Sequence, residues 1–279
     1  MNTAIQSISS AQNPKIKNLL LLQEKSRARR EQGLFVVEGR REIQHCLEAG
    51  FEIDTLFVSA DLTGLSDPSS SVIPGLGTVI PGLVPGTSSP RVIALPRPLL
   101  EKVTYRGATE GVVAEVRIRE RRLEDLSLPE NPLIVVIEGV EKPGNIGAIL
   151  RTADAAGADA LIVCDPLSDL WNPNLIRASL GGIFTVPTVA CSSVEAIAFL
   201  QARGIAILTA QLQDSELYYD TPMTGGTALV MGTESTGLTD RWRNAATAHI
   251  RIPMQGRLDS LNVSVSTAIL LYEAVRQRR

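Results

Sequence analysis

The chain is poor in the side chains that most often carry acid–base and nucleophilic chemistry. Only two of its 279 residues are histidines, His45 and His249, which argues against a Ser-His-Asp or Cys-His arrangement. Its three cysteines, Cys46, Cys164 and Cys191, lie far apart with no C-x-x-C pair. That spacing argues against a zinc site or a disulfide framework. No apolar run approaches the ~20 residues that span a bilayer. The start, MNTAIQSISS, lacks the basic-then-apolar layout of a secretory signal. The expectation is a cytoplasmic protein. A net charge of −3 also excludes a uniformly basic nucleic-acid binder.

What is present is enough for two domains with well-buried cores: 279 residues, 44% hydrophobic and 20% charged. The charge is unevenly placed. Between Lys15 and Arg41 stand Lys15, Lys17, Lys25, Arg27, Arg29, Arg30, Arg40 and Arg41 against Glu24, Glu31 and Glu38, a local surplus of five positive charges. Such a stripe is either a solvated helix face or a phosphate-binding surface. With aromatics at 4%, base stacking would add little to nucleic-acid binding.

The first third reads as a small α/β unit. Asn18–Gln23 has a short apolar helical pattern, Phe35–Gly39 is strand-like, and Arg40–Ala49 is helical with Gly50 after it. Ile53–Ser59, Arg91–Leu95 and Gly111–Ile118 are further strand candidates. Ser66–Pro90 contains five prolines, four glycines and six serines, with VIPGL twice, and supports neither a regular helix nor a central strand. It reads as a surface insertion. A domain boundary near Pro129–Pro132 divides the chain into residues 1–128 and 129–279.

Beyond that boundary the rhythm is α/β alternation. Strand candidates are Leu133–Glu138, Ala160–Cys164, Thr185–Val189, Ile205–Thr209, Ala228–Gly232 and Ala248–Ile252. Helical patterns fall between them at Asn145–Ala156, Pro173–Leu180, Val194–Arg203 and Thr239–Ala245, and a last helix runs from Asn262 to about Gln277. Strands separated by helix-length segments predict a parallel sheet covered on both faces. Such a sheet places ligands at the carboxyl ends of its strands. Three loops there are rich in small and polar residues and precede helical runs: EGVEKPGNIGAILR, GTESTG and IPMQGRLDSLNVSVS. The first resembles a dinucleotide loop only in position, because neither G-x-G-x-x-G nor G-x-x-x-x-G-K-[ST] occurs. In the third, Ser260 and Asn262 are suited to cap the last helix.

Taken together and in this order, EGVEKPGNIGAILRTADAAGADALIV, LVMGTESTGL and IPMQGRLDSLNVSVSTAILLYE resemble the motifs of the SpoU (TrmH-like) class of the SPOUT superfamily. Members are S-adenosylmethionine-dependent RNA 2′-O-ribose methyltransferases. The match covers nearly all of residues 133–279, while ANPKIKNL and FVVEGRREI resemble, more loosely, the family's ribosomal-protein-like RNA-binding domain. The resemblance implies a C-terminal parallel-sheet SPOUT domain with a deep trefoil knot, a small N-terminal α/β domain, a homodimer with the active site near the subunit interface, and no metal. It implies catalytic roles for Asn145, Arg151, Glu234, Ser260 and Asn262, and contacts to the methyl donor from Thr209, Gly232, Ile252, Met254 and Leu261. RNA contacts are expected from Lys15, Lys17, Arg27, Arg29, Arg30, Arg40, Arg41 and Arg106.

The reaction implied is an in-line methyl transfer to a ribose 2′-oxygen, in which alignment supplies much of the acceleration. Arg151 is either the base that removes the 2′-OH proton or a clamp on a neighbouring phosphate. A guanidinium is a poor base, which favours the clamp. The two-domain layout points to 23S rRNA. A tRNA ribose methyltransferase, or a non-catalytic RNA-binding or ribosome-assembly protein on the same fold, are the alternatives.

Overall fold

The structure, a computed structural model, describes residues 5–62, 90–104, 110–233, 236–257 and 260–279. Arg106, Glu234 and nearly all of the Ser66–Pro90 insertion lie outside the described residues. The chain divides into two compact units, Met1–Arg119 with Trp171–Gly181, and Glu120–Leu170 with Gly182–Arg279.

In the first unit the elements are β1 (Gln6–Ser7), α1 (Pro14–Glu24), α2 (Ser26–Gln32), β2 (Leu34–Glu38), α3 (Arg40–Glu48), β3 (Ile53–Ser59), β4 (Arg91–Leu95), α4 (Arg97–Val103) and β5 (Val112–Arg117). The sheet order is β1-β4-β3-β5-β2, parallel among β1, β4 and β3 and antiparallel at β5. Helix α1 begins four residues before the apolar pattern suggests. Asn13 caps it by accepting from the Lys15 N–H, and Pro14 occupies the first turn, where its missing N–H costs nothing. Ile16, Leu19 and Leu22 form its buried stripe against Phe57, Ile93 and Val113 of the sheet. Buried on β5 is a carboxyl, Glu115, whose pKa burial pushes up to about 7.

The second unit contains β6 (Leu133–Glu138), α5 (Pro143–Ala156), β7 (Ala160–Cys164), α7 (Gly182–Thr185), β8 (Thr188–Cys191), α8 (Ser193–Ala202), β9 (Ala206–Ala210), β10 (Glu216–Leu217), β11 (Thr227–Met231), α9 (Asp240–Ala245), β12 (Ala248–Arg251) and α10 (Val263–Gln277). Between β7 and α7 the segment Trp171–Gly181, carrying α6 (Pro173–Ala178), belongs to the first unit. There Trp171 stacks on Phe35 with ring centroids 4.5 Å apart and meets Phe51 edge-on. The sequence marks no such excursion.

The seven-stranded sheet runs β10-β12-β9-β11-β6-β7-β8, and every neighbouring pair is parallel. Its strands are short apolar runs because both faces are covered: all six residues of β6 are buried. Ile134, Val136, Ile162, Ala228 and Val230 pack with Phe199 and Leu200 of α8 and Trp242 of α9 on one face. Helices α5 and α10 lie against each other. At the C-terminus Arg278 donates to the carbonyls of Met223, Asn131, Pro132 and Gly225, which fixes the end of α10 to the base of β6. Among the described residues no helix is long and apolar enough to cross a membrane.

One strand differs from the expectation. Thr185 is helical, its hydroxyl bonded to Asp154 at 2.5 Å, and the strand expected at Thr185–Val189 starts instead at Thr188. Pro187 cannot donate to a ladder, so it contributes only its carbonyl, to Leu161 N–H, and regular pairing follows it.

Candidate active site

Strands β12, β9, β11 and β6 are consecutive in the sheet, so their carboxyl ends form one edge. The chain winds outward through β7 and β8 on one side of β6, then returns through β9, β11 and β12 on the other. The β6–β11 junction is therefore the point where the strand order reverses, the usual position of a ligand site in a parallel sheet. Loops 139–142, 232–239 and 252–262 all leave this edge. Thr209, near the end of β9, stands between the last two.

Two of the loops touch. Gly139 has φ +62°, and a Cβ there would come 3.1 Å from Thr233 Cγ2. The second loop closes on itself through paired bonds between Thr233 and Gly237, Thr233 N–H to Gly237 O at 3.2 Å and Gly237 N–H to Thr233 O at 3.1 Å. Inside this ring a Cβ on Gly232 would sit 2.5 Å from the Gly237 carbonyl oxygen and the Leu238 nitrogen. The obstacle is backbone, so only glycine fits.

The third loop joins the first through side chains. Asn262 is the N-cap of α10, its Oδ1 accepting from Ser264 N–H at 3.0 Å and from the Ser264 hydroxyl at 2.6 Å. Its Nδ2 donates to Asn145 Oδ1 at 3.3 Å, across 117 positions of sequence. The capping role and the link to the first motif are thus met by one side chain. Asn145 lies in the first turn of α5, which begins at Pro143, two residues before the sequence pattern suggests. Arg151, on the same helix, is exposed. Six residues at 100° each turn it about 120° from Asn145, so the two do not share a helix face.

The remaining expected site residues divide by burial. Ser260 and Leu261 are exposed, Gly232, Ile252 and Met254 half-buried. Thr209 is fully buried, and its hydroxyl lies 2.6 Å from His249 Nδ1 on the adjacent strand.

One group under this edge escapes sequence reasoning because it looks like the end of an apolar strand. Glu138 closes β6 with its carboxyl buried. Its Oε1 accepts from the Thr239 hydroxyl at 2.8 Å and its Oε2 from the Thr239 N–H at 2.9 Å. Ser193 Oγ stands 3.2 Å from the same Oε1, and its single proton goes to the nearer Asp165 Oδ2 at 2.5 Å while it accepts from Trp242 Nε1 at 2.9 Å.

The basic stripe of the first unit is smaller than its sequence suggests. Arg29 is 2% exposed and donates to the carbonyls of Leu22 and Gln23 in the last turn of α1. It satisfies orphan helix carbonyls and is not available as an RNA contact. Arg27 pairs with Glu31, Arg41 with Glu42, Lys15 donates to Gln6, and Arg40 bonds to Glu110. Lys17 and Arg30 are exposed.

Fold and site define an α/β protein whose second unit is a parallel sheet with three small-residue loops at one edge. The comparisons with known proteins agree with that class. A family model described as SpoU rRNA Methylase family matches residues 132–272, and one described as MRM3-like substrate binding domain matches residues 13–114. The chain belongs to the SpoU rRNA Methylase family. It is 37% identical over 182 residues to the 23S rRNA (guanosine-2′-O-)-methyltransferase RlmB of Pseudomonas putida, covering 62% of this chain and 73% of that one. It is 32% identical over 253 residues to the 23S rRNA (uridine(2479)-2′-O)-methyltransferase of Streptomyces viridochromogenes, covering 88% and 84%. The AdoMet-bound rRNA methyltransferase of Sinorhizobium meliloti superposes with a TM-score of 0.82 over 98% of each chain at 28% identity.

Proposed function

We propose that this protein transfers a methyl group from S-adenosylmethionine to a ribose 2′-oxygen of RNA, with 23S rRNA as substrate, and that it works in the cytoplasm as a homodimer. The observation that carries the reading is the Asn145–Asn262 bond, which unites the first and third motifs beside the edge where β6, β11, β9 and β12 end. The Thr233–Gly237 pairing gathers backbone polar groups beside Gly232, which has no side chain to keep a planar ligand away. These features fit the donor, which supplies a methyl already activated on a sulfonium. Thr209, Gly232, Ile252, Met254 and Leu261 are assigned to its pocket, Thr209 through its backbone since its hydroxyl is engaged by His249.

Asn145 and Asn262 orient the target nucleotide, and Arg151 holds a phosphate beside the reacting ribose by charge-assisted bonds. Its exposed position suits a partner that arrives with the RNA. Glu234 and Ser260 complete the catalytic set by resemblance. The rRNA assignment draws on the relatives' named substrates and on the N-terminal match to a substrate-binding domain. Val265 and Tyr272, seven residues apart on one face of α10, and Leu261 just before the helix are exposed apolar side chains, which supports the homodimer. The resemblance also implies the trefoil knot in this second unit.

RNA binding tests the proposal through two exposed cations of the stripe, Lys17 and Arg30. Lys17→Glu combined with Arg30→Glu should weaken 23S rRNA binding and lower the salt dependence, log Kd against log salt, by a slope of about 2. Donor affinity should stay unchanged. RNA affinity equal to the parent would remove α1 and α2 from the RNA surface. Faster methylation of tRNA than of 23S rRNA would overturn the substrate assignment.

A further inference from the structure

We propose that Glu138 is a positioning residue whose bonds to Thr239 hold Gly232, Thr233, Gly237 and Leu238 in the arrangement that binds the methyl donor, an inference that rests on the reading of these residues as part of the donor pocket. Glu138 ends β6, and the first motif loop starts at the next residue. Thr239 immediately follows the second motif loop and opens α9. One buried carboxylate therefore ties the start of one loop to the exit of the other, at the junction where Gly139 meets Thr233.

The use Thr239 makes of its hydroxyl separates this role from ordinary helix capping. Thr239 is the N-cap of α9, a position where a threonine side chain usually accepts from an N–H of the first turn. It makes no such bond. Instead its hydroxyl and its backbone N–H both donate to Glu138. The helix forgoes its side-chain cap, and the bonds go to the strand end from which the neighbouring loop departs. Glu138 is in turn boxed in by Ser193, which Asp165 and Trp242 hold in place. The anchor thus sits at the end of β6 against Ser193 of α8, while the loop it anchors carries Gly232. Nothing in this set touches the reacting atoms, so the expected signature is in donor binding and not in the chemical step.

Calorimetric titration of the full-length protein with S-adenosylmethionine tests this directly. Thr239→Val removes the hydroxyl donor and keeps the backbone N–H. It should raise the donor Kd about fivefold to tenfold, the size of one ordinary lost hydrogen bond. The donor KM should rise in parallel, with kcat at saturating donor within about twofold of the parent. Thr239→Ser, which keeps the hydroxyl, should restore donor affinity, and Glu138→Gln should weaken it. Parent-like donor affinity in both Thr239→Val and Glu138→Gln would overturn the inference, whatever happens to their melting temperatures. Gly232→Ala identifies the failing premise. If Gly232→Ala weakens donor binding while the other two do not, only the anchoring role of Glu138 is wrong. If Gly232→Ala also binds normally, the loop does not hold the donor.

Discussion

Arg151→Ala should lower kcat for RNA methylation by about 10²–10³-fold, the scale of one lost charge-assisted contact made in the transition state, with donor affinity unchanged. Arg151→Lys decides between the two roles open to the residue. Lysine keeps the positive charge but presents a single point of contact, where arginine offers a planar fork matched to phosphate oxygens. On the phosphate-clamp account, Arg151→Lys still loses at least about tenfold in kcat, and the pH dependence of the residual activity keeps the parent's shape. The exposure of Arg151, and its separation from the Asn145 face of α5, support a side chain that meets the RNA and is not enclosed with the donor. Near-parent turnover by Arg151→Lys would exclude the fork geometry. A variant whose pH optimum moved would favour proton removal.

The second large effect lies in the first unit. Glu115 is 6% exposed on β5, and burial is the main reason its pKa rises from the usual 4.5 to about 7. The neighbouring Asp54 carboxylate pushes in the same direction, while bonds from Asn18 and Thr55 and the charge of Arg91 oppose it. A carboxyl that binds its proton more tightly when folded favours the folded state at low pH. Below 4.5 both states hold the proton and no cost arises. Between 4.5 and about 7 only the unfolded state has lost it, so stability falls as pH rises. Above that window the loss is complete, up to about 3 kcal/mol. Glu115→Gln should therefore be more stable than the parent at pH 8 by that order, with the difference vanishing near pH 4.5. Denaturant melts across this range check it. Parallel stability curves for the two proteins would show that Glu115 is ionised in both states.

The parallel sheet was readable because its strands are buried on both faces. LIVVI and ALIVC are continuous apolar runs, separated by stretches long enough for a crossover helix. The loops at the carboxyl edge were readable for the opposite reason, since small and polar residues interrupt those runs in front of helices. Their meeting in space was not. The Asn145–Asn262 bond spans 117 positions, and no local pattern encodes it. Glu138 was hidden because a strand-terminal acid has no signature until its donors are known. Arg29 misled for a related reason: a run of basic residues does not reveal which one turns inward to the carbonyls of the preceding helix. Helix α2 went unseen because SRARREQ has almost no apolar period. The Trp171–Gly181 excursion depends on three aromatic rings that only the tertiary fold brings together.

The central claim concerns one atom, the ribose 2′-oxygen that receives the methyl group. Its most direct test is incubation of the protein with methyl-labelled S-adenosylmethionine and unmodified 23S rRNA, followed by digestion to nucleosides and mass spectrometry. The account predicts label in one 2′-O-methylnucleoside, with the added methyl on the ribose fragment, and loss of that product in Arg151→Ala. Label on a base fragment, or no transfer by protein that binds both donor and RNA, would contradict it.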